Sequence, residues 1–174
     1  DDAAEFADFA MSGPVTLDGL SLSGGHNNTG HDGVLPCWRT GHGVAIKADE
    51  TSNWYDQRLT IRNCSITDNY GNFPGNRNLS GIVYTDQTPL TMDGVSITHN
   101  YGEYKLLFIN GNFGEPHFIT NCTIAHNGTR DGLAMGEIVY VHGADGGTDP
   151  DPYRNLGVQM HNCQIYDNHS GHQG

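Results

Sequence analysis

The sequence predicts an all-β protein, a right-handed single-stranded parallel β-helix of about five turns with three short strands per turn. One motif recurs. It reads LTIRNCSITDNY at residues 59–70, LTMDGVSITHNY at 90–101, HFITNCTIAHN at 117–127 and VQMHNCQIYDN at 158–168, with a degenerate first copy, VTLDGLSLSGG, at 15–25. Each copy alternates apolar and polar residues, breaks at an Asn-Cys or Gly-Val step, and alternates again, which is the pattern of strands with one buried face. A strand pair repeated every few tens of residues marks a solenoid.

Composition agrees with turns and short strands. The chain of 174 residues is 36% apolar and carries 24 Gly, more glycine than the roughly 7% of an average protein. A net charge of −12 makes nucleic acid and anionic membrane poor partners. No apolar run approaches the roughly 18 residues of a membrane span.

In chain order, residues 1–14 do not repeat and form an N-terminal cap or arm, with Phe6, Phe9 and Ala10 able to share one helical face. Residues 15–168 form the solenoid and 169–174 a C-terminal tail. A third kind of strand precedes each later copy: GVAIKA (43–48), GIVYTD (81–86), KLLFING (105–111) and EIVYVHG (137–143). Taking Leu20, Cys64, Val95, Cys122 and Cys163 as equivalent, the spacings are 44, 31, 27 and 41 residues, so strands hold their length while loops vary. At ~4.8 Å per turn the rod is about 24 Å long.

The alignment assigns the columns. Leu17, Ile61, Met92, Ile119 and Met160 point inward, as do Leu22, Ile66, Ile97, Ile124 and Ile165. Leu20, Cys64, Val95, Cys122 and Cys163 form a third inward column, in which the cysteines act as small apolar residues, expected as thiols. Asn63, Asn121 and Asn162 fall at one bend and Asn69, Asn100, Asn127 and Asn168 at the next. Asparagine tolerates left-handed backbone and its amide can bond to the turn above, so both sets are expected as structural ladders.

The pattern Ile-x-Asn-Cys-x-Ile-x-x-Asn, with a Gly-Ile/Leu-Val-Tyr strand between copies, resembles the pectin-lyase-like right-handed β-helix superfamily over residues 15–168. It looks most like the repeat-rich secreted and surface proteins of bacteria built on that fold. The resemblance implies an extracellular or cell-surface location. For the enzymes of that superfamily it implies clustered Asp with calcium and an Arg or Lys base, or two to three Asp as acid and base.

Several groups could carry chemistry. Asp68, His99, His126 and Asp167 form one outward column, a candidate proton-transfer or metal site with the alternative of a solvated face. Another outward column holds Asp18, Arg62, Asp93, Thr120 and His161, in which Arg62 beside Asp93 reads as an ion pair. Asp145, Asp149 and Asp151 offer oxygen ligands to calcium; no other cofactor is implied. Trp38, Trp54 and Tyr55 lie in loops and could stack on sugar rings or anchor the loops. Sequons stand at Asn27, Asn63, Asn78, Asn121, Asn127 and Asn168, with Asn27 and Asn78 the best glycan acceptors.

The last copy is expected to leave strand edges and the core residues Cys163 and Ile165 in need of cover. Phe6, Phe9 and Met11 of a neighbouring molecule are the expected cover, making copies of the chain its head-to-tail partner. The leading expectation is thus a non-catalytic extracellular structural subunit stacking into a filament or surface layer. A polysaccharide lyase or glycoside hydrolase, whole or as a fragment, and a surface adhesin or sugar-binding module are the alternatives. The last makes carbohydrate a possible partner.

Overall fold

The computed structural model describes residues 8–10, 13–27, 42–49, 58–71, 80–86, 88–102, 105–110, 116–128, 137–142 and 157–169. Among them there is no helix, and none long and apolar enough to cross a membrane. The strands fall into five successive rungs. The first rung holds β1 (Asp8–Ala10), β2 (Val15–Asp18), β3 (Ser21–Ser23) and β4 (His26–Asn27). The second holds β5 (His42–Asp49), β6 (Leu59–Arg62), β7 (Ser65–Thr67) and β8 (Tyr70–Gly71). The third holds β9 (Ser80–Asp86), β10 (Leu90–Asp93), β11 (Ser96–Thr98) and β12 (Tyr101–Gly102). The fourth has β13 (Lys105–Asn110), β14 (His117–Thr120) and β15 (Thr123–Ala125), and the fifth β16 (Val139–His142), β17 (Val158–His161) and β18 (Gln164–Tyr166).

Every strand pairs in parallel with its counterpart in the next rung. The sheets run β1-β5-β9-β13-β16, β2-β6-β10-β14-β17, β3-β7-β11-β15-β18 and the short β4-β8-β12. This is an all-β arrangement of parallel sheets, consistent with a parallel β-solenoid. The short ladder is a fourth set beyond the three strands per turn expected, and Gly128 extends it by a bridge to Tyr101. Residues 8–10 also depart from the expected helical face: they are a strand, with Phe9 opposite Ala48. A three-residue segment continues a ladder that already exists, whereas an isolated helical turn must nucleate alone. Phe6 and Met11 lie outside the described residues.

Register follows the repeat. Leu17, Ile61, Met92, Ile119 and Met160 are successive partners, as are Leu22, Ile66, Ile97, Ile124 and Ile165. The interior rungs bury these residues completely, and Cys64, Val95 and Cys122 join the same core. A parallel ladder places like residues one above another, so each apolar column is continuous and no polar group enters it by accident of slip. The β9 and β13 sheet is buried on both faces: Val83, Leu107 and Ile109 lie in the core, while Tyr84 and Phe108 on the other face are also inaccessible. Their rings stack at 5.0 Å, and Phe108 stacks on Tyr140 at 5.2 Å.

Candidate functional site

Two corners punctuate each rung, and both are made by a residue in the left-handed region. At the first corner stand Gly19 (φ 68°), Asn63 (52°), Gly94 (63°), Asn121 (53°) and Asn162 (52°). At the second stand Gly24 (76°), Asp68 (54°), His99 (57°), His126 (56°) and Asp167 (50°). Beyond glycine, Asn, Asp and His are the residues enriched in that conformation. The column of Asp68, His99, His126 and Asp167 therefore has a backbone reason for its composition, independent of proton transfer. The left-handed position falls one residue before Asn69, Asn100, Asn127 and Asn168, where the repeat had suggested the asparagines themselves would bend the chain.

The column is exposed along its length. His99 and His126 stack with ring centroids 5.4 Å apart, and the edge of Tyr166 meets His126 at 5.3 Å. His126 Nδ1 lies 3.9 Å from Asp167 Oδ2, a long contact between groups 44% and 70% exposed. An open cleft of about 410 Å³ beside it is lined by Tyr101, His126, Gly128, Asp167 and His169. Gly128 is required there, since a Cβ at that position would fall 2.7 Å from the Cβ of His169. Among the described residues no three His, Cys, Asp or Glu side chains are placed to hold a metal ion.

The residues next to the column do the structural bonding. Asn69 N–H and Nδ2 both donate to Asn100 Oδ1 at 3.1 and 2.9 Å. Asn100 repeats this to Asn127 Oδ1 (3.0 and 3.0 Å), and Asn127 to Asn168 Oδ1 (3.1 and 2.9 Å). The amide also reaches back to the preceding rung, as in Asn100 Nδ2 to the Ile66 carbonyl at 2.9 Å. Asn69, Asn100 and Asn127 are buried, and every amide group in this ladder that burial would orphan has a partner.

Asn63, Asn121 and Asn162 behave differently. They are exposed and bond outward: Asn63 Nδ2 donates to Asp18 Oδ1 (3.1 Å), Asn121 Nδ2 to Asp93 Oδ1 (2.7 Å) and Asn162 Nδ2 to Asn121 Oδ1 (2.7 Å). Hydrogen bonds from Asn121 and Thr120 hold the Asp93 carboxyl below the usual range; those from Asn63 and Arg62 do the same for Asp18. Arg62 pairs with Asp18 at 2.9 Å rather than with Asp93. Both carboxylates adjoin Arg62 in the column, and Asp93 is already held by two neutral donors.

The described cysteines are free thiols. Cys64, Cys122 and Cys163 donate to the carbonyls two residues back, Arg62, Thr120 and His161, at 3.1, 3.1 and 3.3 Å. Burial pushes the Cys122 thiol up to about 11, so it is a corner brace and not a nucleophile.

Two buried polar groups stand outside the candidates read from the repeat. His117 opens β14 at a position held by Leu59 and Leu90 in the rungs before it. It is buried, its Nδ1 accepts from the Leu90 N–H at 3.1 Å, and desolvation lowers its pKa to about 4. Lys105, also buried, places Nζ 4.1 Å from the Tyr140 ring centroid and 4.8 Å from that of Phe108. The aromatic at the same place in GIVYTD, KLLFIN and EIVYVH was the available sequence clue. Desolvation lowers the Lys105 pKa, and Glu137 opposes it.

Of the remaining sequence candidates, Asp145, Asp149, Asp151, Asn78, Trp38, Trp54 and Tyr55 lie outside the described residues. Asn27 is placed only as part of β4. In comparisons with protein-family models, with curated proteins and with solved structures, the chain matches none.

Proposed function

We propose that the chain is a non-catalytic extracellular structural subunit, a right-handed parallel β-helix of the pectin-lyase-like kind that stacks end to end into a filament or surface layer. The observation that supports this reading best is the state of the terminal rungs. Ile165 is 49% exposed although Ile66, Ile97 and Ile124 of the same column are fully buried. Leu20, at the other end of the cysteine column, is 43% exposed. Among the described residues no strand pairs with the outer edges of the first and fifth rungs; parallel edges of this kind pair readily with further strands, and an interface that repeats head to tail without closing builds a filament. The left-handed backbone at Asp68, His99, His126 and Asp167 gives that column a structural reason for its composition, which supports the non-catalytic reading.

Sedimentation velocity and negative-stain microscopy across a range of protein and salt concentrations test the proposal. Assembly should grow with protein concentration and with added salt, because each molecule carries a net charge of −12 and screening weakens the repulsion. A protein that stays monomeric at high concentration and high salt ends this reading.

A second reading, a sugar-binding module, draws on the cleft of Tyr101, His126, Asp167 and His169, whose phenol, imidazoles and carboxylate suit hydroxyl groups. Binding on a glycan array, lost in Asp167→Ala, would favour it.

A further inference from the structure

The hydrogen bonds between rungs follow one rule at each position but one, Leu90, whose N–H donates to His117 Nδ1. Where a corner or strand begins, the N–H of one rung donates to the carbonyl of the next. Examples are Val15 to Arg58, Leu59 to Pro89 and His117 to Gly157 before the second sheet, and Gly19 to Arg62, Asn63 to Asp93 and Asn121 to His161 at the first corner. At the third sheet the direction reverses: Ser65 N–H donates to Leu20 O, Ser96 to Cys64, Thr123 to Val95 and Gln164 to Cys122. Continued past the fifth rung, the rule asks for a carbonyl opposite the Val158 N–H, another opposite the Asn162 N–H, and a donor opposite the Cys163 carbonyl. The first rung holds the matching set, in Pro14 O, Asp18 O and the Ser21 N–H.

The side chains match as well. In register, Val15 and Leu17 fall under Val158 and Met160, Leu20 under Cys163 and Leu22 under Ile165, so the exposed Leu20 and Ile165 each gain an apolar neighbour. His161 comes to stand over the Asp18 carboxylate.

One position does not continue. The asparagine ladder runs from Asn69 to Asn168, and its next place in a first rung is Gly25, whose N–H donates to Asn69 Oδ1 at 2.9 Å. Gly25 has no side-chain carbonyl to accept from the Asn168 N–H and Nδ2, as Asn168 accepts from Asn127. An asparagine at position 25 would supply that carbonyl. Its amide would donate to the Ile165 carbonyl of the rung above, as Asn168 Nδ2 does to Ile124 at 2.8 Å. Unlike Gly24, Gly25 does not have a positive φ.

We infer that the partner of the C-terminal edge is the N-terminal edge of a second copy of this chain, seated in the register of the internal rungs, with the asparagine ladder interrupted at Gly25. The inference rests on the stacking reading above and specifies its interface. An unrelated extended segment could pair with one edge, whereas the first rung of a second copy offers strands of the same columns to β16, β17 and β18 together. The break at Gly25 leaves the junction without the asparagine step that joins the second to the fifth rungs.

Two measurements test it. Thr16 and Gln159 are exposed and occupy one outward column. The double variant Thr16→Cys/Gln159→Cys, treated with a short bis-maleimide, should give a series of covalent multimers. Thr16→Cys/Gln164→Cys, on different sheets, should do no better than either single variant. Gly25→Asn should associate at least about tenfold more tightly than Gly25→Ala, since several buried hydrogen bonds form across the junction. If the wild type does not assemble, the stacking reading and this inference both fall. If it assembles, but Thr16/Gln159 cross-links are missing or Gly25→Asn is no tighter than Gly25→Ala, this register is wrong while assembly stands.

Discussion

Acid should destabilise this protein through one imidazole. His117 sits where the rungs before it carry leucine, and its Nδ1 is occupied by the Leu90 N–H. Protonation would break that bond and place a charge in the apolar column, which is why its pKa falls to about 4 from 6.5. The unfolded chain therefore binds this proton first as pH falls, and stability is lost between about pH 6.5 and pH 4, with the full contribution present above that window. With those two values, the loss is about 2 kcal/mol from pH 7 to pH 5 and about 3 kcal/mol by pH 4.

The assay is urea denaturation of the wild type and His117→Leu at half-unit steps from pH 4 to pH 8. Leucine already fits the column at positions 59 and 90. The variant gives up the imidazole acceptor and starts from an offset at neutral pH, but it has no proton to gain. The difference in stability between the two proteins should change by up to about 1.4 kcal/mol per pH unit inside the window and be flat above pH 7. Carboxylates and the other histidines titrate in both proteins and cancel in that difference. Parallel curves from pH 4 to pH 8 would refute the buried neutral imidazole.

Four further expectations follow from the same packing. Thr85 Oγ1 is buried without a hydrogen-bond partner, so Thr85→Val should raise stability by about 1 kcal/mol in chemical denaturation. Asn100→Ala orphans the buried Asn69 N–H and should cost about 3 kcal/mol, whereas exposed Asn162→Ala, at a left-handed corner (φ 52°), should cost only the backbone penalty of about 1–2 kcal/mol. At the left-handed corner, His99→Asn should leave the melting temperature nearly unchanged, while His99→Val loses about 1–2 kcal/mol. Native Cys122 should react with an aromatic disulfide at pH 8 at least about a hundredfold more slowly than a free thiol, and reach the free rate in denaturant.

Much of the architecture was legible because the second and third ladders repeat without slip. Alternation told inward from outward residues, and equal strand lengths aligned Leu17 with Met160 and Leu22 with Ile165 although the loops between them differ widely. The five equivalent positions from Leu20 to Cys163 needed only counting. Sequence by itself thus determined the all-β class, the parallel columns and the core of the interior rungs, while Leu20 and Ile165, expected inward, are 43% and 49% exposed in the end rungs.

What it could not determine was the direction of each backbone step and the environment each side chain would find. Asparagine suits both a left-handed corner and an amide ladder, so identity alone could not say that Asn63 bends the chain while Asn69 bonds along it. Asp68 and His99 read as titratable groups because the φ values that select them exist only in the folded corner. Arg62 lies between two carboxylates in its column, and the neutral donors around Asp93 decided which one it meets. His117 looks like any polar residue until the apolar column closes around it. Desolvation and backbone bonding are properties of the packed neighbours, which is why these assignments had to come from the tertiary structure.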